Sequence, residues 1–162
     1  SAMHKAMQFL HFEACGDEKS VRREIHRLVE EDFLTPEEGK LVNARQIASF
    51  FDTDLGWKLR LGGELLREFK FSILDEGQRY GAGLEGEQVL LQGVVDCAIV
   101  EPAGITVLDF KTDRVTKETL EETAGRYKDQ VETYKEALER IYNKKVTKAL
   151  LYFFHMGCFV EV

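Results

Sequence analysis

A chain of 162 residues suffices for one domain that buries roughly two-thirds of its unfolded surface. Its composition, 44% hydrophobic and 31% charged, is that of an ordinary globular protein. No apolar run approaches the ~20 residues of a membrane span, and no signal-peptide pattern opens the chain, so a cytoplasmic protein is expected. A net charge of −7 argues against a free-standing binder with a basic face. The three cysteines, Cys15, Cys97 and Cys158, match neither a disulfide framework nor a metal spacing and read as reduced, mostly buried thiols.

In chain order, Ser1-Ala2 reads as a cloning remnant. Met3, Met7 and Leu10 then give a first short helix its apolar stripe. Asp17 can cap a second helix, where Val21, Ile25, Leu28 and Val29 recur at helical spacing. Thr35-Pro36-Glu37-Glu38 carries an N-cap, a first-turn proline and a capping box, which predicts a third helix running to about Phe51. Residues 54–61 suggest a short fourth.

From Glu64 the pattern changes to strands over 65–74, 89–100 and 105–111. The second and third are apolar on both faces, with Val95, Cys97, Ile99, Leu108 and Phe110 assigned to one side; such strands belong inside a covered sheet. A single long helix is expected over 117–142, from Leu120, Ala124, Tyr127, Val131, Tyr134, Leu138 and Ile141. A buried strand over 147–154 and a returning hairpin strand over 158–162 close the chain. Residues 81–86 spell G-x-G-x-x-G, but they lead into a strand rather than from a strand into a helix, so they read as a hairpin loop.

Glu101-Pro102-Ala103-Gly104 reads as the turn between the second and third strands. Centred on Pro102-Ala103, it sets opposite one another residues whose numbers sum to 205, which places Asp96 against Asp109. Directly opposed side chains lie roughly 4.5–5.5 Å apart, where like charges repel. Lys111, two residues on, projects from the same face as Asp109. Two carboxylates held together beside a lysine predict a divalent-metal site.

These residues also carry a resemblance. Gly93-Val94-Val95-Asp96, Asp109-Phe110-Lys111, His4 on the first helix, and Gln130 with Tyr134 four residues later resemble the RecB-like branch of the PD-(D/E)xK nucleases, in that family's motif order. The stretches Asp109-Phe110-Lys111-Thr112-Asp113 and 66–72 look most like the C-terminal nuclease domains of AddA-type helicase–nucleases. The glycine of the family's first motif would fall ahead of residue 1.

The resemblance implies an α/β, restriction-endonuclease-like fold: a mixed central sheet flanked by helices, with an N-terminal helical segment. It implies one nuclease domain over 1–162, a C-terminal fragment of a larger helicase–nuclease. His4, Asp96, Asp109 and the Phe110 carbonyl would be metal ligands, for Mg²⁺ or alternatively Mn²⁺. Asp96, Asp109 and Lys111 would be catalytic, Lys111 orienting or helping to deprotonate water. Gln130 and Tyr134 would contact substrate or brace the site, although Tyr134 also fits the apolar stripe. The implied activity is metal-dependent DNA exonuclease action at double-strand breaks during recombination. Single-stranded DNA would be delivered by a helicase in the same parent chain, with no membrane partner but with an AddB-like partner subunit.

Two other readings stay open: a non-catalytic DNA-binding or docking module, and a stand-alone exonuclease. Glu68 matches a glutamate common in the family, and a charge paired to Arg67 or Lys70 would look the same. Asp113 is either a further acid or a solvated strand end, and His11, His26 and His155 read as structural.

Overall fold

The computed structural model describes residues 1–162. Five helices come first: α1 (Ala2–Phe9), α2 (Glu18–Glu30), α3 (Pro36–Leu41), α4 (Ala44–Phe51) and α5 (Asp54–Arg60). Strands β1 (Leu65–Glu76), β2 (Gln88–Glu101) and β3 (Gly104–Lys111) follow, then α6 (Leu120–Arg126), α7 (Lys128–Tyr142), β4 (Val146–Phe153) and β5 (Cys158–Glu161). No helix is long and apolar enough to cross a membrane.

The strands form one sheet in chain order, antiparallel throughout except for the parallel β3–β4 pair. A parallel neighbour needs a crossover, here supplied by α6 and α7. The N-terminal helices cover one face around Leu10, Leu28, Ile47, Phe50 and Tyr152. The crossover helices cover the other around Val107, Val131, Leu138 and Phe153. This is the mixed, helix-flanked α/β sheet expected from the sequence.

Local signals explain most boundaries. Asp17 accepts from the Ser20 N–H at the start of α2, and Thr35 and Glu38 form the capping box of α3. The expected helix to Phe51 is instead two. Val42 is extended, and Asn43 opens α4 by accepting the Gln46 N–H at 3.0 Å, a cap that a continuous helix could not make. The long C-terminal helix is likewise broken at Tyr127, between α6 and α7.

The β2–β3 register obeys the sum of 205 from Glu101↔Gly104 to Cys97↔Leu108. One sequence expectation about facing is corrected. Val95 packs in the α7 layer, whereas Cys97 and Ile99 pack under the N-terminal helices. β1 does the same: Leu66 and Phe69 both face the α7 layer, although strict alternation would separate them. The ladder keeps its register across this point, Arg67↔Cys97 and Phe69↔Val95, and skips only Glu68. Glu68 has φ +51°, a left-handed conformation costing about 1–2 kcal/mol in a non-glycine residue. The two strands thus invert their facing together, and Asp96 lies opposite the inversion.

Gly83 and Gly86, both at positive φ, lie in the connection between β1 and β2, so the G-x-G-x-x-G match is a hairpin loop. Beside it the carboxylate of Asp75 is held by Arg79, Arg140 and the Tyr80 hydroxyl. These bonds tie the hairpin's far end to α7.

Candidate active site

Past Cys97↔Leu108 the β2–β3 ladder ends, and a side chain takes over. Asp96 Oδ2 accepts the main-chain N–H of Phe110 at 2.9 Å, so the carboxylate lies along β3 beside Asp109. Asp109 is buried, its side chain 4% exposed. Burial first, and the adjoining Asp109 carboxyl second, push Asp96 up from 3.8 to about 8, with the Phe110 N–H and Lys111 opposing. Asp109 Oδ2 lies 2.9 Å from Lys111 Nζ. That approach is an ionic contact without hydrogen-bond alignment, so this buried oxygen has no aligned donor.

Lys111 is fixed from three sides. Besides Asp109, its Nζ donates to Gln130 Oε1 at 3.0 Å and stands 3.7 Å from the centre of the Tyr127 ring. The Tyr127 hydroxyl donates in turn to both oxygens of Asp113. Tyr127 was not singled out from the sequence as a site residue. The available signal was its place on the same helical stripe as Tyr134, seven residues earlier.

His4 reaches the same end of the sheet from α1. Its Nε2 lies 2.7 Å from the Phe110 carbonyl and 3.7 Å from Asp96 Oδ2, and its Nδ1 lies 2.7 Å from Ser1 Oγ. A carbonyl only accepts, so Nε2 carries the ring proton here. No three His, Cys, Asp or Glu side chains form a ready-made cation cage. His4 and the Phe110 carbonyl, both expected as ligands, are bonded to each other, the imidazole N–H donating to the carbonyl.

The donor set nevertheless fits a divalent ion. It offers two adjacent carboxylates, one oxygen lacking an aligned donor, a main-chain carbonyl and one imidazole, with hard oxygens predominating. Moving the His4 proton to Nδ1, toward Ser1 Oγ, frees Nε2 as a ligand.

Gln130 and Tyr134 occupy different settings. Gln130 is exposed and faces Lys111. Tyr134 is buried edge-on against Phe71. Burial, and after it Asp109, Asp96 and Glu68, raise its phenol. Gly93 makes that packing feasible, since a Cβ there would stand 2.7 Å from Phe71 Cζ and 3.2 Å from Tyr134 Cε1. Glu68 has no ion pair to Arg67 or Lys70. Arg67 instead lies over the Phe12 ring and donates to the Met7 carbonyl, while Glu68 lines a cleft with His4, Lys5 and Glu38.

Residues 1–159 match the family model of the PD-(D/E)XK nuclease superfamily. Three relatives each bear the name ATP-dependent helicase/nuclease. The one from Geobacillus thermodenitrificans (strain NG80-2) is 38% identical over 172 residues and covers 100% of this chain. That from Pelotomaculum thermopropionicum is 38% identical over 159 residues, covering 96%. That from Clostridium botulinum (strain Loch Maree / Type A3) is 32% identical over 165 residues, covering 99%. The chain spans only 14%, 12% and 13% of their respective lengths.

Proposed function

The chain belongs to the PD-(D/E)XK nuclease superfamily, and on that premise we propose that it is a divalent-metal-dependent nuclease domain hydrolysing DNA phosphodiester bonds. The observation that carries this reading is the cluster at the end of β2 and β3: Asp96 against Asp109, with Lys111 held beside them by Gln130 and Tyr127. A docking module has no need of two opposed acids, one of them buried.

In this reading Asp96, Asp109, the Phe110 carbonyl and His4 hold the ion, Mg²⁺ by the oxygen count and Mn²⁺ by the imidazole. A divalent ion at such a site neutralises phosphate charge and acidifies a bound water. Lys111 orients the attacking water and offsets charge on the phosphate, from a position its three contacts hold without large motion. Gln130 keeps Lys111 extended and, being exposed, also meets the substrate strand. Tyr134 braces the α7 side.

The names of the relatives support placing this domain in a larger helicase–nuclease. There it would act as a single domain, trimming the strand released by the motor during break processing and recombination, alongside an AddB-like subunit.

Melting with and without Mn²⁺ tests the ligand set. A folded-state site at ten times its Kd gains about 1.4 kcal/mol. Mn²⁺ should raise the melting temperature of the unsubstituted chain, and His4→Ala should lose much of that rise. An unmoved transition in the unsubstituted chain would remove the metal site. An equal shift in His4→Ala would remove the histidine from it.

A further inference from the structure

Two clefts flank the cluster and meet at Leu41, an exposed leucine. They differ in charge. The first is lined by His4, Lys5, Glu38 and Glu68, and its lysine is committed to Glu38 at 2.8 Å. The second holds Asn43, Gln46, Thr112, Arg114 and His155 and no carboxylate. It adjoins the cluster directly. Thr112 follows Lys111, and Phe154, in its wall, stacks on Phe110 with ring centres 5.4 Å apart.

The arginines of the chain divide sharply. Arg22, Arg27, Arg79, Arg126 and Arg140 hold carboxylates. Arg23 holds the Ser20 hydroxyl, Arg67 a main-chain carbonyl, and Arg60 lies over the Trp57 ring. Only Arg114 and Arg45 have no hydrogen bond, ion pair or ring contact. Arg114 lines the second cleft, and Arg45, also exposed, lies between Asn43 and Gln46 in sequence. Asp113, the acid nearest Arg114 in the chain, is occupied by the Tyr127 hydroxyl. In a chain of net charge −7, one uncommitted guanidinium lines the groove beside the cluster and the other stands in the first turn of α4, which supplies Gln46 to its wall.

We infer that the Arg114 groove is the path of the substrate strand next to the scissile position, with Arg114 the principal ligand of the neighbouring phosphate and Arg45 an outer one. This rests on the nuclease reading above. A guanidinium suits the site because its planar donors match phosphate oxygens in pairs. Two residues separate Lys111 from Arg114, a span of at most about 11 Å of backbone, so one strand can touch both. Asn43, Gln46 and Thr112 offer neutral donors and acceptors for sugar and base edges. The cleft with Glu38 and Glu68 repels a polyanion, so the strand enters or leaves by the other side.

The probe is a fluorescently labelled single-stranded oligonucleotide, bound in EDTA over a range of salt and then cleaved in Mn²⁺. Each phosphate contact on a single strand contributes a slope of about −0.7 in log K against log salt. Arg114→Ala should flatten the slope by about 0.7, and the Arg45→Ala/Arg114→Ala double variant by about 1.4. The double variant should bind about tenfold or more weakly at low salt and raise KM with kcat little changed. Lys148→Ala, an exposed cation near the opposite end of β4, is the control. Arg114 and Arg45 hold no intramolecular partner, so folding should be unaffected, as melting will show.

If the double variant matches Lys148→Ala in slope and affinity, or loses affinity with an unchanged slope, the inference is overturned. If the slope falls as expected while no form cleaves in any divalent ion, the groove stands and the nuclease reading fails. An unsubstituted chain that does not bind the oligonucleotide would overturn the groove.

Discussion

Asp96 is the residue where burial and function pull hardest in opposite directions. Its carboxyl is pushed up to about 8, first by burial and then by Asp109, so the folded chain holds a proton there that the unfolded chain releases near 3.8. The sign follows. Its contribution is fully present at low pH and is lost as pH rises from about 4 through about 8. In EDTA, Asp96→Asn should therefore flatten the decline in melting temperature over that window relative to the unsubstituted chain. A parallel decline in both proteins would show that Asp96 is not the group responsible.

The opposition of Asp96 and Asp109 was legible in the sequence because a proline-centred turn fixes register, and register fixes which side chains meet. The Phe110 N–H bond to Asp96 was not legible, because it depends on the ladder ending one pair early. Nor was the pairing of His4 with the Phe110 carbonyl, which depends on how α1 docks against the sheet.

Among the elements, the shared inversion of β1 and β2 is the least ordinary. Both strands change facing at Glu68 and Asp96 without losing register, and Glu68 bears the positive φ. Glycine relieves a left-handed strain of about 1–2 kcal/mol but costs about 0.5–1 kcal/mol in chain entropy. Glu68→Gly should accordingly leave the metal-free domain unchanged or more stable by up to about 1.5 kcal/mol, whereas Glu68→Val should destabilise it, since a branched Cβ fits that conformation poorly. Thermal unfolding of the two variants decides. A glycine variant less stable than the valine one would mean that the strand relaxes to an ordinary conformation.

The inversion escaped the sequence in β2 because Val94, Val95, Cys97 and Ala98 around Asp96 are all apolar, and period-two patterning cannot show a phase slip between two covered faces. The breaks at Asn43 and Tyr127 escaped for a related reason. At Tyr127 the apolar stripe runs on from Ala124 to Val131, and at Asn43 only the cap marks the break.

For the whole molecule, charge governs how such a site would meet its substrate. At −7 the chain has little of the counterion-release affinity on which non-specific binding depends, and it carries no motif for separating strands. The isolated chain should be a weak nuclease, faster on single-stranded than on blunt duplex DNA, and inhibited steeply by salt. In a longer protein that feeds a strand across the site, local concentration would rise without any change in chemistry. Rapid, salt-insensitive duplex digestion by this chain alone would point to a self-sufficient exonuclease. The layered architecture was the most legible feature at this scale, since helices, three strands, a crossover and a returning strand have few ways to cover both faces of one sheet.

The central claim is that Asp109 and Lys111 sit at the end of β3 for chemistry and not for packing. The most direct measurement is the initial rate of cleavage of labelled single-stranded DNA in Mn²⁺ at low salt, by the unsubstituted chain, Asp109→Ala and Lys111→Ala, alongside their melting curves. The account predicts cooperative unfolding in all three, with rates at least about 100-fold lower in each variant. Unsubstituted rates in either variant, with the fold intact, would contradict it.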